Sequence, residues 1–370
     1  MAVYKIFPTA DTTIYSAYPA LNTGLDEILD ISTTNVGAFD PNPQTSRALV
    51  KFSTTEINDV LQNKIGANTW AANLRLFLAE AEGITGDTTL KIYPISSSWN
   101  MGTGKFLDTP PVTNGVGWTW RTLSGSNAWT TASFAAFVTA SFTGSNGGGG
   151  TWYTASSISG LNVTQSQTFS YYDDKDVNVG VTDTIHAWYS GAFENNGFIV
   201  KHDNEFTNTI ATYLKYFSRD THTIYPPCLE FKWNDYVHSS GELPFLNTTP
   251  ANVSIAENPG TFYSQSVNIF RVNSRPQYPA RVWQTGSWYT QNYALPTASY
   301  WALKDLDTDE YVIDFDTTYT KLSCDATGSY FKMYMNGLEP ERYYKILIQT
   351  TINGNTIVFD NDYSFKVVNG

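Results

Sequence analysis

Charge is what this sequence has least of. Only 15% of its 370 residues are Asp, Glu, Lys or Arg, against about 25% in an ordinary soluble domain. The imbalance is acidic, with a formal charge of −12. No Lys and Arg cluster is visible that could neutralise phosphates, which excludes a nucleic-acid partner and disfavours an anionic membrane surface. Cysteine is nearly missing. Cys228 and Cys324 stand far apart in the chain, whereas a disulfide framework needs more cysteines at closer spacing; the two read as separate buried thiols. No run reaches the roughly 18 apolar residues of a membrane span. The opening residues, Met1-Ala2-Val3-Tyr4-Lys5, have no apolar signal core. The expectation is a chain made in the cytosol and kept or assembled there. The sequons at Asn162, Asn247 and Asn252 then mark surface loops.

What the chain has in abundance is rings. Phe, Trp and Tyr make up 15% of it. With Thr and Val they are strand formers, so the composition predicts an all-β protein with wide uncharged surfaces, suited to subunit contacts. The length fits about two domains at roughly 150 residues each.

Strand patterns are dense. Val3 to Phe7, Ile28 to Ile31, Ala48 to Phe52, Leu74 to Leu78 and Leu90 to Pro94 alternate or run apolar. Ser53 and Glu56 have capping-box spacing before Ile57, Val60 and Leu61, which predicts one short helix. Val177, Val179 and Val181 form an alternating strand that runs into a helical turn around Ile185, Ala187 and Trp188. Asn195-Asn196-Gly197 then reverses the chain into Phe198-Ile199-Val200. Leu229 to Trp233 closes a first domain, residues 1–236. Residues 237–250 read as a linker. A second domain, 251–370, contains Val267 to Val272, a Tyr300–Leu303 strand paired with Tyr311–Phe315, and a hairpin at Asn353-Gly354-Asn355. No internal repeat or heptad pattern is present.

Residues 99–170 differ. Trp99, Trp118, Trp120, Trp129 and Trp152 stand among Gly, Ser and Thr, including Gly147 to Gly150. This reads as a long insertion, and long loops in compact domains are commonly functional. Trp118, Trp129, Trp152 and Tyr153 are the candidate site residues, as rings that stack on sugars or anchor partner subunits. The alternative is that they fill a small core beneath the loop.

Other chemistry is thin. Gly102-Thr103-Gly104-Lys105 lacks the phosphate-loop spacing, and Phe106 stands where Ser or Thr must be. Asp173, Asp174, Asp176 and Asp183 could hold calcium, but a solvated turn explains them as well. His186, His202, His222 and His238 have no metal-ligand spacing, and His186 reads as packed against a sheet. Nothing marks a carboxylate pair or a nucleophile elbow. No catalytic residue, metal site or cofactor is expected.

The pieces of the first domain resemble the DNRLRE-type jelly-roll sandwich and come in that family's order. They are Phe7 to Tyr15, Ser46 to Phe52, Leu74 to Leu78, Trp99 leading to Trp118-Thr119-Trp120, Val181 to Phe198, and Tyr225 to Phe231. The second domain is similar to a fibronectin type III or immunoglobulin-like sandwich, with Leu338, Pro340 and Tyr344 at tyrosine-corner spacing. The whole chain, including Met101 to Phe106 and Tyr216 to His222, resembles virion structural proteins of tailed phages, particularly those of marine cyanobacteria. The resemblance implies a non-enzymatic head-decoration or tail component, assembled in the host cytoplasm. It would act through contacts with other virion proteins and copies of itself. The alternative it leaves is an adhesion protein that binds host-surface polysaccharide.

Overall fold

The structure, a computed structural model, describes residues 2–34, 44–123, 127–129, 148–154, 161–203, 205, 211–256, 258–278 and 291–370. Much of the insertion, at 124–126, 130–147 and 155–160, lies outside the described residues. Among the described residues the fold is all-β, made of sheets in sandwich arrangement whose strands pair antiparallel except at one edge, with two short α-helices. The chain divides into two compact units. One comprises Ile6–Gly66 with Ala71–Glu230, and the other Met1–Lys5, Ala67–Trp70 and Phe231–Gly370.

The chain opens on β1 (Ala2–Ile6), β2 (Pro8–Tyr15), β3 (Ile28–Thr33) and β4 (Ser46–Phe52). Helix α1 (Thr54–Asp59) starts where Ser53 Oγ accepts the Glu56 N–H at 3.3 Å. It continues as a π-helical turn over Val60–Ile65 and stops at Gly66, whose φ is +60°. Ile57, Val60, Leu61 and Ile65 are its buried face. Then come β5 (Trp70–Leu76), β6 (Leu78–Glu82), β7 (Thr88–Pro94), the short pair β8 (Trp120–Thr122) and β9 (Asn127–Ala128), β10 (Gln165–Phe169) and β11 (Val177–Gly180). Helix α2 (Thr182–Tyr189) leads to β12 (Phe198–His202), β13 (Thr212–Phe217) and β14 (Cys228–Trp233). The apolar run at Leu74–Leu78 is thus two strands, broken at Phe77.

The Val177–Val200 segment folds as strand, helix, strand. At the Asn195-Asn196-Gly197 reversal it is Gly197 that supplies the positive φ, +87°, and Asn195 Oδ1 accepts its N–H at 3.0 Å. Helical period puts Thr184, Ile185, Ala187 and Trp188 inward. It leaves His186 exposed on the outer face, not packed against a sheet as its neighbours suggest.

In the first unit a five-stranded sheet runs β10-β7-β12-β4-β2, and a three-stranded sheet runs β3-β13-β6. β4 is buried along both faces, apart from half-buried Lys51. Period two explains how. Ala48, Val50 and Phe52 face one side. Arg47 and Leu49 face the other, in register with Ile14 and Thr12 of β2. That second face is covered by the insertion.

The second unit continues with β15 (Ala251–Ala256), β16 (Thr261–Tyr263), β17 (Val267–Pro276), β18 (Ser299–Asp305), β19 (Tyr311–Ile313), β20 (Ser323–Asp325), β21 (Gly328–Tyr334), β22 (Tyr343–Ile352), β23 (Asn355–Phe359) and β24 (Ser364–Val368). One sheet runs β15-β17-β21-β20. The other runs β16-β24-β22-β18-β19, with β23 also on β22. Their inner faces share one core. At its centre Trp301 stacks on Phe331 with ring centroids 4.8 Å apart, and Phe331 stacks on Phe270 at 5.2 Å. Tyr344 forms the tyrosine corner, its phenol donating to the Glu339 carbonyl at 3.0 Å. Leu246 is buried in this same core, and the Val237 N–H donates to Ser323 Oγ at 3.2 Å. Asn252 is exposed on β15, not in a loop. Cys228 and Cys324 are buried thiols that form no disulfide. Among the described residues no helix is long and apolar enough to cross a membrane.

Candidate functional site

The covered face of the five-stranded sheet is where the sequence-predicted site residues collect. Trp118, Trp129 and Trp152 join Ile14, Leu49, Ile95, Trp99, Val116 and Ile199 in one apolar cluster. Each of the three rings is buried, as is Tyr153. Trp152 bridges to Ile95 and stacks on Tyr93 with centroids 5.6 Å apart. Tyr153 donates its N–H to the Pro94 carbonyl at 3.0 Å and stacks on Phe193 at 4.5 Å. The Trp129 indole donates to Gly117 O at 3.1 Å, and the Trp99 indole to Asn196 O at 2.8 Å. These rings face inward and hold the insertion on the sheet; none offers an open stacking platform.

A buried ion network fastens the insertion from beneath. Arg47 and Glu205 are 1% and 2% exposed. Arg47 Nε and Nη2 donate to the two Glu205 oxygens at 2.8 and 2.7 Å, the bidentate fork that suits a buried pair. Arg47 Nη1 donates to the Gly149 carbonyl. The guanidinium also lies over the rings of Trp118 and Trp152, at 4.7 and 5.2 Å. Lys201 Nζ approaches Glu205 Oε2 at 3.2 Å, and Thr45 Oγ1 donates to Oε1 at 3.3 Å. Burial alone would push the Glu205 carboxyl up, but Arg47 and Lys201 together hold it below the ordinary range. Burial outweighs Glu205 at Lys201 and lowers that amine. On the opposite face of β12, burial pushes His202 down to about 4. Its ring is neutral near pH 7 and meets the Ile31 carbonyl at 3.2 Å.

The glycine run has its reason here. Gly149 has φ +86°, and a Cβ on it would lie 2.6 Å from Arg47 Nη1 and 2.8 Å from the Trp118 ring. Only glycine lets the backbone come down onto the guanidinium.

A second anchor is Asn22, which is fully buried. Its Nδ2 donates to the carbonyls of Met101 and Val116 at 2.7 and 2.9 Å, and its Oδ1 accepts the Gly104 N–H at 2.9 Å. One side chain thus pins both arms of the 101–117 loop. At the outer end, the Phe106 N–H donates to Asp26 Oδ1 at 3.1 Å. Phe106 contacts Tyr15 and Tyr18 edge-on, with centroids 5.1 and 5.6 Å apart. The anchored loop and the turn after β2 together display an apolar knob: Tyr18, of the turn, is 54% exposed, and Phe106 and Leu107, of the loop, 38% and 87%. The Gly102–Lys105 stretch therefore serves as a loop clamp.

The four acids are used in turns. Asp173 and Asp174 accept the N–H groups of Ser170 and Asp176, at 2.8 and 3.1 Å. Asp176 and Asp183 accept those of Leu78 and Asn162, at 2.7 and 3.0 Å. Among the described residues no three His, Cys, Asp or Glu side chains converge to hold a metal ion. Sequence reasoning missed Arg47, Glu205 and Asn22. In the sequence Arg47 stands out only as part of the Ser46 to Phe52 strand that resembles the jelly-roll family.

No protein-family model matches the chain, and no curated protein does. Among solved structures, a crystal structure of Parabacteroides merdae β-glucuronidase aligns at 8% identity and a TM-score of 0.15, covering 96% of this chain and 36% of that one. The same enzyme with glycerol in its active site aligns at 9% identity and a TM-score of 0.15, covering 98% and 35%. The chain spans about a third of the length of these structures, and likeness at that level assigns neither fold nor activity.

Proposed function

We propose that the chain is a non-enzymatic structural component of a tailed-phage particle, a head-decoration or tail protein that works through protein–protein contacts. The observation that supports this reading most is the Tyr18–Phe106–Leu107 knob. Phe106 and Leu107 stand out from a loop that Asn22 and Asp26 hold in place, and Tyr18, from the turn after β2, packs beside them. Aromatic groups on a preorganised support lose little entropy when a neighbouring subunit buries them. The inward use of the ion network and tryptophans agrees with it, because they stiffen the support. The particle itself is suggested by the residues that resemble virion proteins. Many identical copies on a symmetric shell or tail make a modest contact sufficient.

The test is incorporation. Particles should assemble with the wild-type chain and lose it when Phe106 and Leu107 are both serine, while the isolated variant keeps its melting temperature. Turnover of polysaccharide by the purified chain, or unchanged incorporation of the double variant, would go against the reading.

A further inference from the structure

A cleft in the second unit carries chemistry that the structural role does not use. It lies on the outer face of the antiparallel β15–β17 pair. Alternation sends Val253 and Ile255 of β15 and Val272 of β17 into the core. Asn252, Ser254, Asn273 and Arg275 then fall on the opposite face. Register places Asn252 across from Arg275 and Ser254 across from Asn273, a polar square with about 5 Å between cross-strand neighbours. β21 pairs with β17 only as far as Val272. Beyond that point the Tyr293 N–H donates to the Ser274 carbonyl at 2.9 Å, which brings Gln291 and Asn292 alongside as a further wall.

The cleft has a volume of about 480 Å³, inside the roughly 300–1,000 Å³ span of small-ligand sites. Its back is fixed. Asn292 Oδ1 accepts the Ser274 N–H at 2.7 Å, its Nδ2 donates to Thr327 O at 2.9 Å, and Ser274 Oγ donates to Tyr293 O at 2.7 Å. Its front is open. Asn252, Asn273, Arg275 and Gln291 have no side-chain hydrogen bond or ion pair with the described residues. Solvated polar side chains are ordinary on a flat strand; here four of them converge on one concavity. The lining holds one cation and no acid, in a chain with 34 acids and 22 bases.

We infer that this cleft binds an anionic saccharide unit. Each primary amide offers two donors and an acceptor, the complement of neighbouring sugar hydroxyls. Arg275 supplies a planar fork that fits a carboxylate in two-point contact. The site is distinct from the buried tryptophans, and it does not rest on the particle assignment.

Titration calorimetry on the full chain tests it, with oligogalacturonate and oligoalginate as acidic probes and methyl-esterified oligogalacturonate as the neutral control. The acidic oligomers should bind. Affinity should fall about tenfold or more, at least roughly 1.4 kcal/mol, for the ester, for Arg275→Gln and for an Asn252→Ala, Asn273→Ala double variant. These positions are exposed, so circular dichroism and melting should stay at wild-type values. Absence of binding to both acidic oligomers overturns the proposal. So does equal affinity for acid and ester, or binding that ignores both variants. None of these results bears on incorporation into a particle, so the two proposals fail separately.

Discussion

Arg47 shows how one charged residue can organise a loop. A lone buried guanidinium would be too costly to keep, so its two faces and every donor edge described are occupied: a carboxylate, a carbonyl and two indoles. Arg47→Met should strip the bidentate partner from buried Glu205, leaving it Lys201 and Thr45, and cost about 3–5 kcal/mol in urea unfolding. Gly149→Ala should destabilise through the same contact, by roughly 1–3 kcal/mol, because it needs a positive φ and a closer approach than the Trp118 ring allows. His202 adds a pH dependence. Its folded pKa of about 4 lies below the unfolded value near 6.5. Its contribution is complete above pH 6.5 and is lost as pH falls toward 4. Relative to His202→Gln, the wild type should lose up to ~3 kcal/mol between pH 7 and pH 4. Chemical denaturation across that range checks the sign; a wild type that gains stability relative to the variant as pH falls from 7 to 4 would contradict it.

Elements set by neighbouring residues were legible in the sequence. The Ser53 cap needs Glu56 three residues on. The β22–β23 turn needs Asn353 and Gly354, which sit at φ +51° and +80°. The tyrosine corner spans Glu339 to Tyr344. Tyr344→Phe should therefore cost about 1 kcal/mol, one buried hydrogen bond, without altering the sheet. Contacts that close over long separations were not legible. Arg47 and Glu205 are 158 positions apart, and Asn22 meets Val116 across 94. No local period announces either partner. The same limit explains the tryptophans, since an irregular loop has no repeating face from which inward and outward can be read. It explains the cleft too, where Asn252 and Arg275 become neighbours only through strand register. Asn22→Ala should free both arms of the 101–117 loop. Limited proteolysis should then cut there first, while the rest of the unit stays protected.

At the scale of the whole molecule, the fold spends the buried Arg47–Glu205 pair and the tryptophans of the insertion on rigidity and leaves other large apolar side chains, Tyr18, Phe106 and Leu107 among them, exposed. Two β units carry different surfaces, an aromatic knob on one and a polar cleft on the other. A structural role asks for stiff, sparsely charged faces that neighbours can cover, and the low charge read at the outset agrees with that need. The most direct measurement is electron cryomicroscopy of purified particles carrying an epitope-tagged copy of this chain. The account predicts repeated density for the chain at fixed positions, with Tyr18, Phe106 and Leu107 buried against an adjacent subunit. Particles without the chain, or with it bound while that knob faces open solvent, would contradict it.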